Sequence, residues 1–259
     1  MRIYITGAKG QLGRALMRRL TATVVLVLAV AGGSASAAGH ATLNVYAAAS
    51  LTDVLPSIDA TQRYSFASSN SLAAQITQGA PADVFASANM TIPLQLYAKG
   101  LVTKPVVLTR NTLVLIVPTS NPARIHSVYD LRRSGLKLVI AGPAVPVGGY
   151  TLQILKNMAL TSVLQNVVSR ESDVREVLAK VALGEADAGF VYSTDARTVA
   201  GKVTVLKLPA WAQPKVKYGI AVVSASGNRA AALAYITKLI SKGAQAKFVA
   251  AGFLPRIKK

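Results

Sequence analysis

Hydrogen-bond donors gather where short apolar runs give way to helical stretches. Ser50 and Ser69 follow two such runs, residues 145–150 (VPVGGY) form a turn, and Asp173 precedes a further helix. Each position alone has an ordinary explanation, such as a serine capping its own helix. A helix start, however, carries unpaired N–H groups and a partial positive charge, and such starts meet at the carboxyl ends of strands. The set therefore predicts a site for an anion.

Motifs for the common catalytic mechanisms are missing from the sequence. There is no G-x-S-x-G, H-E-x-x-H or P-loop pattern, and His40 and His126 lie far apart. The chain has no cysteine, which argues against thiolate sites, disulfides and a lipid-modified cysteine anchor. Asp83 and Asp187 are isolated and are interpreted as loop or capping acids. We expect no catalytic residues, no cofactor and no metal ion coordinated directly by side chains.

A second candidate for binding chemistry is the glycine loop GAKGQLG at residues 7–13. Gly7, Gly10 and Gly13 have the spacing of a nucleotide-binding turn, and this stretch resembles the start of extended short-chain dehydrogenases. A dinucleotide-binding unit also needs an acid about twenty residues after the loop. The first acid in this chain is Asp53, so an NAD(P)-dependent oxidoreductase is retained only as the alternative from another functional class.

The residues after this loop have the layout of an export signal. An apolar run at residues 20–31 follows the basic start and is followed by Ala35-Ser36-Ala37, a small-residue cleavage pattern. The run is shorter than the roughly 20 residues that span a bilayer. We predict that residues 1–37 are a signal peptide, with the glycine loop inside a long n-region or after a misplaced start. The mature chain is then exported, soluble in the periplasm or another extracytoplasmic space, without a lipid anchor.

The formal net charge of +19 raises the question of nucleic acid as a partner. Part of this charge lies in residues 1–40, which contain no acid, and the remaining bases are spread thinly along the chain. Aromatic residues are not interleaved with them as a stacking platform would require. We expect no nucleic-acid partner, although a diffuse positive field would speed the encounter with a small anion.

Short β-branched runs alternate with helical stretches from Thr42 onward, which predicts an α/β fold. Predicted strands lie at residues 43–48, 63–67, 83–87, 112–117, 136–141, 188–192 and 218–223. Predicted helices lie at residues 50–58, 72–78, 127–133, 151–160, 173–183, 228–239 and 244–251. A capping box between Ser50 and Asp53 is expected to open the first of these helices.

Taken together, six stretches resemble the molybdate-binding extracytoplasmic proteins of ABC transporters, over nearly all of the chain from Thr42 onward. The stretches are VYAAASLTD (45–53), FASSNSL (66–72), GAPADVFA (79–86), VPVG (145–148), DVR (173–175) and GFVY (189–192). The resemblance implies a monomeric solute-binding protein that captures molybdate, or tungstate, and delivers it to an ABC permease in the membrane. Another oxyanion is the alternative ligand within the same class.

The same resemblance implies a two-lobed periplasmic binding protein fold of type II. Two sheets flanked by helices would be joined by two crossing strands, at residues 112–118 and 217–223. Lobe 1 would comprise residues 38–116 plus 217–259, and lobe 2 residues 117–216. Ligand binding would close the cleft between the lobes as a hinge motion.

Carried over motif by motif, the resemblance assigns the ligand residues Ser50, Ser69, Val147, Val174 and Tyr192. They would contact the oxygens of molybdate, not the metal itself, through hydroxyl and backbone N–H groups. All these groups can donate a hydrogen bond, and molybdate near neutral pH is a dianion without a proton. A protonated phosphate would find no acceptor for its hydrogen, at a cost of a few kcal/mol.

Overall fold

The computed structural model describes residues 41–256, which form two five-stranded sheets. The predictions on the glycine loop and the signal peptide lie outside the described residues. Strands are numbered here in chain order. The first sheet contains β1 (Asn44–Ala48), β2 (Arg63–Ala67), β3 (Val84–Ser87), β4 (Val106–Asn111) and β10 (Val216–Val222). The second contains β5 (Leu113–Pro118), β6 (Leu138–Ala141), β7 (Val167–Glu171), β8 (Ala188–Tyr192) and β9 (Val203–Lys207).

Both sheets are mixed and follow the same plan. In the first sheet the strand order is β2-β1-β3-β10-β4, with β1 parallel to β2 and β3 and with β10 antiparallel to its neighbours. In the second the order is β7-β6-β8-β5-β9, with β6 parallel to β7 and β8 and with β5 antiparallel to its neighbours. Each sheet therefore has three parallel strands whose carboxyl ends share one edge.

Helices flank both sheets and confirm the predicted fold class. They are α1 (Val54–Ile58), α2 (Ser69–Thr77), α3 (Thr91–Ala98), α4 (Pro146–Asn157), α5 (Val174–Ala182), α6 (Ser193–Thr198), α7 (Arg229–Ile240) and α8 (Lys242–Ala250). The central strands β5 and β8 are buried along their whole length. Their continuous apolar runs suit strands that are covered on both faces. Among the described helices, none has both the length and the apolar character needed to cross a bilayer.

The chain passes between the sheets at two places. β4 ends at Asn111 and β5 begins at Leu113, so the first passage is Thr112. The second passage is residues 208–215, between β9 and β10. β5 and β10 each pair within a single sheet. The segments that cross between the sheets, Thr112 and residues 208–215, directly precede these two strands. The lobe boundaries expected at residues 116 and 217 stay a prediction.

The start of α5 is predicted correctly by the local sequence. Asp173 is its N-cap, and its carboxylate accepts hydrogen bonds from the backbone N–H groups of Arg175 and Glu176 at 2.7 and 3.2 Å. The buried residues of this helix recur at helical spacing on one face: Val174, Val177, Leu178 and Val181. That amphipathic pattern packs α5 against the second sheet.

The capping box expected between Ser50 and Asp53 is wrong. A 3-10 turn, Ala49–Leu51, precedes α1, and neither it nor α1 has a side-chain cap. The Ser50 hydroxyl bonds instead to the Tyr218 hydroxyl on β10, at 2.8 Å. A partner distant in sequence has replaced the local one, because β10 runs next to β3 inside the same sheet.

Two further differences concern element boundaries. α4 begins at Pro146, inside the segment that the sequence predicts to be a turn, because proline is favoured in the first turn of a helix. Five elements of the structure were not predicted: α3, α6, β4, β7 and β9. β7 and β9 lie at the margins of the second sheet and expose several of their residues, so their apolar signal is weak.

A close approach of backbones makes Gly148 of α4 irreplaceable. A Cβ atom there would lie 2.1 Å from the carbonyl oxygen of Gly142 and 2.5 Å from that of Ala141. At the neighbouring Gly149, a Cβ would meet nothing closer than the carbonyl oxygen of Pro143, at 3.5 Å. The start of α4 can therefore pack against the end of β6 only if residue 148 has no side chain.

We predict that Gly148→Ala lowers the free energy of unfolding by about 3 kcal/mol, since the backbone must move to admit the methyl group. The matched control Gly149→Ala should change it by less than about 1 kcal/mol, in the stabilising direction expected for alanine in a helix. Denaturant titration of both variants measures the difference. Equal stability of the two variants would contradict the packing argument.

Candidate functional site

A small cavity lies where the two sheets face each other, and the structure brings all the predicted ligand residues to its wall. Its lining includes Ser50, Ser69, Val147, Val174 and Tyr192. The volume open to the centre of a water-sized sphere is about 10 Å³, close to what one water molecule needs, so the space is narrow. That these residues contact a ligand stays a prediction.

Three segments of the first sheet contribute one side of the cavity. Ser50 lies in the 3-10 turn directly after β1, Ser69 is the first residue of α2 after β2, and Ala88 follows β3. These strands are parallel, so their carboxyl ends lie at the same edge. The positions that the sequence separates thus become neighbours, at the edge where α/β sheets bind ligands.

The second sheet contributes the opposite side by the same arrangement. Val147 lies in the first turn of α4 after β6, Val174 begins α5 after β7, and Tyr192 ends β8. β6 is parallel to both β7 and β8. Two equivalent edges, one from each sheet, therefore face a single cavity.

Backbone N–H groups supply part of the donor set. Ser69 and Val174 are the first residues of their helices and Val147 is the second of its own, positions that have no hydrogen-bond acceptor within the helix. The side chains of Val147 and Val174 are buried in the core, so these residues offer only their backbone to a ligand. The helix starts also carry a partial positive charge that favours an anion.

Two hydroxyl groups of the cavity, those of Ser69 and Tyr192, are free to donate. Ser69 Oγ accepts a hydrogen bond from the backbone N–H of Ala88 at 3.0 Å, which leaves its own proton free. The Tyr192 hydroxyl is buried and has no hydrogen-bond partner among the described residues. Burial raises the pKa of Tyr192 well above its usual value, so the group keeps its proton. An oxygen atom in the cavity would give this unpartnered donor the acceptor that it lacks.

The cavity wall carries little charge. Among the described residues that line it, Asp173 is the only one with an acidic or basic group. One oxygen of that carboxylate, Oδ1, already accepts both N–H groups at the start of α5. The described part of the wall therefore offers an anion oriented neutral dipoles instead of basic side chains.

Arg175 lies beside the cavity and connects the two sides. Its guanidinium pairs with Asp53, which immediately precedes α1, and its Nε lies 3.0 Å from Oδ1 of Asp195 on α6. This second contact has ion-pair distance without hydrogen-bond alignment, since neither atom has a hydrogen-bond partner. The other Asp195 oxygen, Oδ2, accepts the backbone N–H of Tyr192 at 3.2 Å.

Asp195 itself is fully buried. Burial raises the pKa of its carboxyl to about 7, although the Arg175 guanidinium beside it favours the charged form. Asp53, Arg175 and Asp195 are not among the site residues predicted from the sequence. The available signal was the position of Asp195 three residues after Tyr192, from which its carboxylate accepts the Tyr192 backbone N–H.

We predict that Asp195 makes the folded protein less stable as the pH rises from about 4 to about 7. Its carboxyl has a pKa near 4 when unfolded, so in this range the folded state binds more protons. Asp195→Asn should remove this part of the pH dependence, because its amide oxygen can still accept the Tyr192 N–H.

Denaturant unfolding at several pH values between about 4 and about 8 compares the variant with the wild type. The control Glu185→Gln changes an exposed side chain and should keep the wild-type slope. Parallel pH profiles for the wild type and Asp195→Asn would refute the assignment.

The chain is similar in sequence to known bacterial solute-binding proteins. A family model of bacterial extracellular solute-binding proteins matches residues 26–254. The molybdate-binding protein ModA of Mycobacterium tuberculosis is 37% identical over 226 residues, which cover 83% of this chain and 85% of the relative. ModA of Haemophilus influenzae is 36% identical over 256 residues, which cover 92% of this chain and 99% of the relative.

A solved structure with the same fold is the periplasmic molybdate-binding protein of Azotobacter vinelandii. It aligns with a TM-score of 0.75 at 23% sequence identity, covering 83% of this chain and 100% of that chain. At this identity the likeness supports the fold alone.

Proposed function

The chain belongs to the family of bacterial extracellular solute-binding proteins, and from this premise we propose that it captures molybdate and delivers it to an ABC permease. The relatives from Mycobacterium tuberculosis and Haemophilus influenzae, which bind molybdate, support this ligand. One observation in the structure carries the proposal: donors from the strand ends of both sheets line one small cavity, and one of them, the buried Tyr192 hydroxyl, has no partner among residues 41–256.

The chemistry of the cavity matches that of the ligand. Molybdate near neutral pH offers oxygen acceptors and no proton, and the wall offers hydroxyl and N–H donors. Helix starts hold an anion through dipoles that folding has already oriented. Because none of the described residues in the wall is an arginine or a lysine, the anion is held without a full opposing charge, which favours its release to the transporter. Tungstate has the same shape and charge and is proposed as a second ligand.

A bound oxyanion would contact both sides of the cavity. Ser50 and Ser69 belong to segments of the first sheet, whereas Val147, Val174 and Tyr192 belong to segments of the second. We propose that binding closes the cleft by bending at the two passages between the sheets. The proposed lobes are residues 38–116 plus 217–259 and residues 117–216.

Export and partners are inferred from the sequence and the family. We propose that residues 1–37 are removed as a signal peptide and that the mature chain acts as a monomer outside the cytoplasmic membrane. The absence of cysteine supports a chain without a lipid anchor. The chain is proposed to bind and release its ligand without catalysis, cofactor or nucleic acid. The alternative of an oxidoreductase built on the N-terminal glycines is not favoured, because the relatives are solute-binding proteins.

We predict that Ser50→Ala and Ser69→Ala each weaken molybdate binding by about 1–3 kcal/mol, because each removes one donor to the anion. Isothermal titration of the chain from residue 38 onward, with molybdate, tungstate, sulfate and phosphate, measures the effect and the selectivity. The matched control Ser65→Ala changes an exposed serine of β2 and should bind like the wild type. Wild-type affinity in both cavity variants would remove these serines from the site.

Tyr192→Phe should separate binding from stability. Removing an unpartnered buried hydroxyl should leave the free energy of unfolding equal or slightly higher, while the affinity for molybdate falls about tenfold. Tyr64→Phe is the converse control, since the Tyr64 hydroxyl donates to the Asp59 carbonyl oxygen at 2.6 Å. That variant should lose stability and keep its affinity. Unchanged molybdate affinity in Tyr192→Phe would contradict the proposed role of the hydroxyl.

A further inference from the structure

We infer that the ion pair of Arg175 with Asp53 holds the cleft closed and so sets how fast a bound oxyanion leaves, without affecting which anion binds. This inference rests on the proposed function and on the proposed closure of the cleft. Arg175 lies in the first turn of α5, on the side of the second sheet. Its partner Asp53 lies on the side of the first sheet, between the 3-10 turn Ala49–Leu51 and α1.

This ion pair differs from the others in what it joins. Of the ion pairs between described residues, those of Lys180 and Lys238 each stay within the segments of one sheet. The contact of Arg175 with Asp195 also stays within one side. The pair of Arg175 with Asp53 is the one that connects the two sides. Bending at the passages between the sheets would separate its partners, so the pair stabilises only the closed arrangement.

The Arg175 side chain is fixed on its own side before it reaches across. Its Nη1 donates to Thr198 Oγ1 at 3.3 Å, and its Nε lies 3.0 Å from Oδ1 of the fully buried Asp195. Both of these partners belong to α6. The other terminal nitrogen, Nη2, donates to the Asp53 carboxylate. Because α6 already holds the guanidinium, less side-chain entropy is lost on pairing with Asp53 than for a mobile arginine.

Asp53 is the half of the pair that can let go. Its side chain is 60% exposed, and Arg175 is its only side-chain hydrogen-bond partner among the described residues. Water can therefore solvate the Asp53 carboxylate when the cleft opens. Neither Asp53 nor Arg175 belongs to the described lining of the cavity. The pair thus acts on the closed arrangement without contacting the proposed ligand.

A second arginine approaches the first sheet's side at the same rim of the cavity. Arg197 of α6 packs so closely on Gly252 that a Cβ atom there would lie 2.3 Å from its Nη1. Gly252 follows α8, which packs against α1. Arg197, Arg175 and Asp53 line one groove beside the cavity. The charged contacts between the two sides are therefore concentrated at this rim.

The test measures the dissociation of radiolabelled molybdate and tungstate, each chased with the unlabelled anion, from the chain beginning at residue 38. Asp53→Asn should raise both dissociation rate constants by the same factor, about three- to fivefold, because the pair is lost and the cavity wall is unchanged. Asp53→Lys should raise them further, and Asp53→Glu, which keeps the charge, should restore most of the wild-type rate. The matched control Glu185→Gln removes an exposed carboxylate and should keep the wild-type rates.

Dissociation from Asp53→Asn at the wild-type rate would overturn the inference. Slower dissociation would do so as well, because it would show only that an anion is favoured when a nearby negative charge is removed. Unequal factors for molybdate and tungstate would assign Asp53 a role in specificity instead. Added salt gives a readout that a packing role would not move. Screening of the exposed pair should speed dissociation from the wild type more than from Asp53→Asn.

A measurement without ligand separates this inference from the proposed function. The chain has no cysteine, so Lys99→Cys and Glu185→Cys introduce one exposed dye site on each side of the cleft. Single-molecule energy transfer between the dyes then gives the ratio of closed to open molecules. Asp53→Asn should lower this ratio about three- to fivefold, and an unchanged ratio would overturn the inference. Failure of the wild type to bind molybdate would overturn the proposed function, while this ratio would still decide the role of the pair.

Discussion

The structure depends on one constraint: the carboxyl edges of two sets of parallel strands must face each other across one narrow cavity. The peptide dipoles of the segments that follow those strands converge on this space. Parallel pairing within each sheet is what brings unpaired N–H groups from several helix starts to one edge. The sheets, the crossing segments and the close packing of α4 on β6 at Gly148 all serve to hold that geometry.

Holding an anion with neutral donors has an energetic consequence for the protein. The Tyr192 hydroxyl is buried and finds no partner in the described part of the chain, at a cost that a ligand oxygen would offset. The nearby guanidinium of Arg175 is directed instead to Asp53 and Asp195, outside the cavity wall. Charge therefore connects the two sides of the cleft, while uncharged donors line the cavity proposed for the ligand. A site of this kind can bind selectively and still release its cargo.

Hydrogen bonds also link the passage between the sheets at Thr112 to the cavity. Asn111 is the last residue of β4, directly before the passage at Thr112, and its amide bonds to Tyr218 on β10 and to Thr194 on α6. The orientation of this one amide follows from the backbone N–H of Thr112. Hydrogen bonds thus run from the backbone of Thr112 through the buried side chains of Asn111 and Tyr218 to the Ser50 hydroxyl.

Local patterns in the sequence were enough to predict the alternation of strands and helices, the start of α5 at Asp173 and the strand β8. Its motifs also predicted one set of ligand residues: Ser50, Ser69, Val147, Val174 and Tyr192. These rest on local spacing and on motif resemblance, which a linear sequence carries. Only the tertiary structure decided that Ser50 bonds to Tyr218 instead of capping a helix, that Arg175 lies between Asp53 and Asp195, and that the pKa of Asp195 rises to about 7. Each of these depends on burial and on partners far apart in the chain, because the sheet order and the packing between the two sheets choose those neighbours.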